Sequence, residues 1–176
     1  MGRQQSNARG TQLQQVNTSA GLPSTDQVAC VAGAVDAIFS SLLGEAPVQT
    51  GEEVMNQVLR CDGVIGIISL VGDVDWLLVL GLPRDTAPAI AEGFAGFPIP
   101  FESEDMADAV GELANLVAGD VKVNLDAIRL SSEISLPQVL RGTGIEVLRP
   151  PRTPSVVLTF DSSCGPFLLA LTSRQS

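Results

Sequence analysis

The sequence predicts an α+β domain, a mostly antiparallel sheet with long helices packed beside it. Three observations predict it. The stretch Glu104–Lys122 is strongly periodic at 100° per residue. The apolar runs Gly63–Val71 and Trp76–Leu82 flank a Gly72-Asp73 turn and read as a hairpin. The elements run in the order helix, strands, two helices, strands, with no fixed-period repeat and no linker dividing the body. The expected organisation is a disordered tail over residues 1–24 and a single domain over 25–173.

The tail, Met1–Ser24, is rich in Gln, Ser, Asn and Gly and has no apolar h-region, so it is not a signal peptide. Ser24-Thr25-Asp26 supplies three potential N-cap side chains. Val28, Val31, Val35, Ile38, Phe39 and Leu42 then recur at helical spacing, and Gly44 is a suitable stop, giving a first helix over Asp26–Leu43. Val48 to Leu59 is a weak strand candidate, because Glu52–Arg60 reads equally as helical or irregular.

The hairpin strands are apolar on both sides. They suit a sheet covered on both faces, or covered on one face and paired with another chain. Asp85–Phe94 reads as a short helix and Gly96–Pro100 as a loop, since two prolines interrupt regular structure. After Lys122, Ile128–Ser135 alternates loosely and suggests a strand. Ser135–Gly142 reads as a turn-bearing connector, Ile145–Leu148 as a short strand and Arg149–Pro154 as a break. Ser155–Phe160 and Pro166–Thr172 read as an antiparallel pair across Asp161–Gly165.

Composition removes several classes of function. A chain of 176 residues with 45% apolar content can build a real core. Ten basic against twenty acidic residues give a net charge of -10, which argues against nucleic acid and anionic membrane surfaces as partners. There is no His, so His triads, His metal sites and phosphohistidine chemistry are excluded on this chain. Cys30, Cys61 and Cys164 are odd in number and widely spaced, as expected of buried free thiols in a reducing compartment. They offer no metal-ligand pattern. The longest apolar runs are too short to span a bilayer and are split by Asp73 and Asp75. The expectation is a soluble, cytoplasmic protein with no membrane insertion.

The periodic stretch is the most informative part of the chain. Met106, Val110, Leu113, Val117 and Val121 fall on one face of a helix, and Glu104, Asp108, Glu112, Asn115, Gly119 and Lys122 on the other. A polar helix face is ordinarily a solvated one. This face, however, carries an Asn and a Gly in mid-helix, where both are poor helix formers. Gly119 removes side-chain bulk one turn beyond Asn115 and lets another surface approach. Ser103 is the candidate N-cap, Glu104 and Asp105 complement the helix dipole, and Lys122 reads as a cationic last-turn residue.

The run Asp108-x-x-x-Glu112-x-x-Asn115 resembles the D/S-x3-E-x2-N signature of the CheC/CheX/FliY phosphatases of bacterial chemotaxis. With Gly111, Leu113 and Ala118-Gly119 it is most similar to the CheX branch. Leu136-Pro-Gln-Val-Leu-Arg-Gly142 resembles the Pro-Thr-Val-x-x-Gly run that follows that helix in the family. The resemblance covers roughly Val48–Thr172. The first helix offers Asp36-x-x-x-Ser40-x-x-Leu43, with Ser and Leu where a second signature would need Glu and Asn. A single intact copy again favours the CheX type.

The resemblance implies a CheC-like/CheX-like fold and hydrolysis of the aspartyl phosphate on a CheY-type receiver domain. It implies that Asn115 orients the attacking water and that Glu112 docks onto the receiver's active-site Lys. Asp108 supports the helix or the docking contact, and Gly119 gives clearance. No cofactor is expected on this chain, and Mg²⁺ belongs to the receiver. A homodimer is implied, paired through sheet edges, with the two hairpin strands as candidates. The competing expectations are a non-enzymatic receiver-binding or flagellar-switch-type module and a structural oligomer subunit.

Overall fold

Ser24 starts the first helix through a reciprocal pair of bonds. In the computed structural model, which describes residues 21–56, 58–148 and 153–173, the Gln27 amide donates to Ser24 Oγ at 3.3 Å and the Ser24 amide donates to Gln27 Oε1 at 2.7 Å. This capping box opens α1 (Thr25–Leu43), and Gly44 closes it in the left-handed region at φ 79°. Then follow β1 (Val48–Met55), β2 (Leu59–Gly72), β3 (Asp75–Pro83), α2 (Ala87–Ala95) and α3 (Glu104–Ala127). The chain continues through β4 (Ser132–Ile134), β5 (Gln138–Val147), β6 (Ser155–Ser162) and β7 (Gly165–Ser173). Residues 1–20 of the expected tail and 149–152 of the expected break lie outside the described residues. Leu22, expected in the tail, packs against the core.

The strands form one seven-stranded sheet in the order β1-β6-β7-β3-β2, with β4 and β5 both beyond β2. Every one of these pairings is antiparallel. β2 is long enough to hold β5 along Leu59–Ile67 and β4 along Leu70–Gly72 on the same side.

All three helices cover one face. Val64, Ile68, Leu70, Leu78, Leu80 and Leu82 of the hairpin meet Phe39, Ile90, Met106 and Leu113 there. The alternate residues Ile65 and Val79 point the other way and form a second cluster with Leu59, Val157 and Ala170, to which no helix contributes. Central strands buried by their neighbours on both sides therefore account for the unbroken apolar runs.

Several expectations change. The hairpin strands are internal, so they cannot supply an edge for a second chain; among the described residues the free edges are β1 at one end and β5 with the short β4 at the other. The weak Val48–Leu59 stretch is a strand, β1, held by β6 from Val48 to Met55. The connector expected over Ser135–Gly142 is mostly strand: β5 begins at Gln138 and runs through to Val147. The strand expected over Ile128–Ser135 shrinks to Ser132–Ile134, because α3 continues through Ala127. Buried Leu125 extends the apolar stripe of α3 past Lys122. Lys122 is therefore not a last-turn residue, and its ammonium pairs instead with Glu133 of β4 at 3.1 Å.

α1 is long and apolar enough to cross a membrane by length and composition. It buries Val31, Ala34, Val35 and Phe39 fully in the core beneath it.

Candidate functional site

α3 is fixed to the sheet at a glycine. A Cβ on Gly66 of β2 would lie 2.8 Å from Ala114 Cβ and 3.3 Å from the Val110 carbonyl oxygen. Any side chain there would lift the helix off the strand. One turn further out, Gly111 faces Val139 and Pro137, whose side chains come within 3.4 and 3.7 Å of its missing Cβ. The run Leu136–Gly142 thus flanks α3 at the turn that carries Glu112.

Polar contacts hold the helix at both ends. At the start, Arg141 of β5 donates through Nη1 to the carbonyl oxygens of Phe101 and Ser103. Glu102 lies between Arg84, at 2.6 Å, and Arg141, at 3.8 Å. The Arg84 guanidinium sits 4.2 Å above the Phe101 ring. Ser103 stands at the N-cap position, but its hydroxyl donates to the Pro100 carbonyl instead of capping a helix amide. Near the far end, Asn124 Nδ2 donates to the Cys30 carbonyl of α1 at 3.0 Å and to Asp120 Oδ2 at 3.3 Å, and Cys30 Sγ reaches back to the Asn124 carbonyl. α3 is therefore a rigid platform held by strand, loop and neighbouring helix.

The platform turns outward the residues that the sequence singled out. Met106, Val110, Leu113, Val117 and Val121 are buried, as the periodicity requires, and Ala109, Ala114 and Ala118 widen the buried stripe. Asp108 and Glu112 are exposed, and Asn115 is half-buried on the flank toward β4 and β5. Glu112 and Asn115, three apart, are surface neighbours with Cβ atoms roughly 5–6 Å apart by helix geometry. Among the described residues, the side chains of Asp108, Glu112 and Asn115 make no hydrogen bond or ion pair, whereas Asp120, Lys122 and Asn124 below them are all engaged. Gly119 has nothing within 4 Å of its Cβ position. An amide and a carboxylate thus stand unpartnered on a ridge with open space one turn beyond. Such a ridge can insert into another protein's cleft and hold a water there.

The corresponding stretch of α1 is spent on packing. Leu43 stands where the second Asn would be, and its Cδ2 lies 2.7 Å from the missing Cβ of Gly93 in α2. Sequence reasoning missed the anchoring roles of Arg141 and Asn124. Arg141 lies in the family-like run, but nothing in that run signals its bonds to the α3 start.

Among the described residues, no group of three or more His, Cys, Asp or Glu is arranged to hold a metal. The three cysteines are free and partly buried. Burial, with Asp26 beside Cys30 and Asp62 beside Cys61, pushes both thiols above their ordinary range. A cavity of about 330 Å³ opens at the sheet, where Cys61, Gly81, Thr159 and Leu168 contribute to its wall. These belong to the face without helices, so the cavity is separate from the α3 ridge.

The family model for the chemotaxis phosphatase CheX matches residues 64–161. No curated protein sequence matches the chain. Among solved structures, a chemotaxis protein CheX from Desulfovibrio desulfuricans superposes with a TM-score of 0.77 at 20% identity, over 85% of this chain and 99% of that one. A CheX from Borrelia burgdorferi, crystallised as a CheX–CheY–BeF3–Mg²⁺ complex, superposes with a TM-score of 0.70 at 17% identity, over 86% and 100%. A chain of the FliM–SpeE complex from Helicobacter pylori shares the fold at a TM-score of 0.63 and 10% identity, over 86% and 89%.

Proposed function

The chain belongs to the CheX family of chemotaxis phosphatases, and on that premise we propose that it hydrolyses the aspartyl phosphate of a CheY-type response regulator. The observation that carries this reading is the unpartnered pair Glu112 and Asn115 on the outward ridge of α3. The Borrelia CheX crystallised with CheY supports a CheY-type receiver as the partner class.

The chemistry asks for little beyond positioning. In the reaction water attacks phosphorus, the bond from phosphorus to the aspartyl oxygen breaks, and aspartate and inorganic phosphate are released. Phosphoryl transfer of this kind depends on alignment and charge stabilisation. Asn115 supplies alignment: its amide oxygen accepts a hydrogen bond from the water and its Nδ2 donates to a phosphoryl oxygen. An uncharged amide does this without repelling the phosphoryl group. Glu112, one turn earlier, pairs with the receiver's active-site Lys and sets the register of docking. Asp108 extends the docking edge, and open space at Gly119 admits the receiver's surface. The Mg²⁺ held by the receiver neutralises charge on the phosphoryl oxygens.

We also take the chain to pair as a homodimer through a free sheet edge, at β1 or β5.

The test of function is direct. A CheY-type receiver charged with acetyl phosphate is mixed with the protein, and phosphate loss is followed. Accelerated loss supports the phosphatase; binding without acceleration selects a receiver-binding module; neither effect selects a structural subunit.

A further inference from the structure

We propose that Leu116 and Val123, with the bare backbone at Gly119 between them, form an apolar docking row that decides which receiver domain is accepted. This rests on the phosphatase reading above and assigns a specificity surface beside the reacting pair.

The row stands out against the other helices. Among the described residues, the large hydrophobic side chains left exposed on α1, α2 and α3 are Leu116, at 40%, and Val123, at 63%. α1 and α2 turn every such residue at least partly inward, so exposure on α3 is a local feature and not the general state of this surface. Residues seven apart return to nearly the same side of a helix, roughly 10 Å along its axis. Gly119, four residues before Val123 and three after Leu116, lies between them with nothing within 4 Å of its Cβ position. The three positions make a shallow apolar strip in which a partner can touch helix backbone.

The strip continues the reacting pair. Leu116 follows Asn115 directly and lies one turn beyond Glu112 on the helix surface. Any domain that places its phosphoryl group at Asn115 therefore covers this strip as well. A third exposed apolar residue, Leu136 at 88%, precedes Pro137, which packs beside Gly111 on the opposite flank of Glu112. The reacting pair is thus bracketed by apolar surface. Carboxylates border the strip at Glu112, Asp120 and Asp126, while Lys122 is held by Glu133. The occupant that fits is a receiver with an apolar patch beside its phosphorylation site, rimmed by Lys or Arg.

Neither Leu116 nor Val123 can polarise water, so their removal should change recognition and not turnover. The experiment is steady-state dephosphorylation of the charged receiver by Leu116→Gln and Val123→Gln, which put a good helix former at each position and alter no charge. Circular dichroism confirms folding, and Val123→Ile serves as the conservative control. The expected result is a KM raised about tenfold, in the manner of an interface anchor, with kcat within about twofold of wild type and Val123→Ile unchanged. Unchanged KM in both Gln variants overturns the row. Should the wild type leave the phosphate untouched, the phosphatase reading fails by itself. Affinity for a beryllofluoride-activated receiver then decides the row: equal Kd for wild type and Val123→Gln, or no binding by either, overturns it.

Discussion

Asn115 and Leu113 sit two residues apart on α3 and serve opposite purposes. Leu113 is buried to 1% exposure, and Asn115 is half-buried with no partner among the described residues. Leu113→Ala should cost about 2–5 kcal/mol of stability, as a core truncation does. Specific activity of the protein that remains folded should change little; thermal unfolding and an assay at low temperature check both halves. Glu112→Gln keeps size and removes charge. It should raise KM for the phosphorylated receiver more than it lowers kcat if, as proposed, it docks the receiver; an equal fall in kcat with unchanged KM would reassign Glu112 to the chemical step. Cys61 makes a separate point about local environment. Burial and then Asp62 raise its thiol, so at pH 8 it holds less thiolate than a free cysteine. Alkylation by iodoacetamide should be slower in the native protein than in urea, and a native rate matching the unfolded one would contradict that placement.

At the level of elements, the α3 face was readable because a 3.6-residue period separates buried from exposed positions whatever lies beneath. The end of α3 was not readable. No Gly or Pro stops it; the turn is made by Arg129 in the left-handed region at φ 66°, with the Leu130 amide returning to the Leu125 carbonyl. A non-glycine residue in that conformation leaves no local signature, so Lys122 looked terminal when it was not. β5 was obscured for a related reason. Pro137 stands just before it, and Gly142 and Gly144 lie within it, at the irregularity where β2 and β5 shift register between Cys61 and Gly63. Asp62 accepts from the Gly144 amide there, which no one-dimensional pattern announces. The contact of α3 with β2 at Gly66 gives an element-scale prediction. Gly66→Val should destabilise by about 1–3 kcal/mol through overpacking and should lower activity beyond its effect on folding, because Ala114 and Val110 would move the turn that carries Glu112. Activity equal to wild type in the folded fraction would show that the platform tolerates the shift.

At the level of the whole molecule, the apolar character of β2 and β3 suggested either two covered faces or a covered face and an interchain pairing. The structure places them in the middle of a sheet with helices on one face, so the free edges are β1 at one end and β5 with the short β4 at the other. Which strands are internal depends on long-range order, which local patterning does not encode. If the chain pairs through such an edge, light scattering should return about twice the chain mass of 18.3 kDa. A mass of one chain across the working concentration range would contradict the dimer. The family signature was legible because it lies within one helix and its spacing is local. The supports of that helix, Arg141 on β5 and Cys30 on α1, come from distant parts of the chain and become visible only once the sheet is assembled.

The central claim is that Asn115 holds water against a phosphoryl group carried by another protein. The most direct measurement is the single-turnover rate of receiver dephosphorylation by Asn115→Ala, beside wild type and with folding verified by circular dichroism. Loss of one preorganised donor predicts a fall of about 10²-fold or more, with unfolding temperature essentially kept. A folded Asn115→Ala variant that dephosphorylates the receiver at the wild-type rate would contradict it.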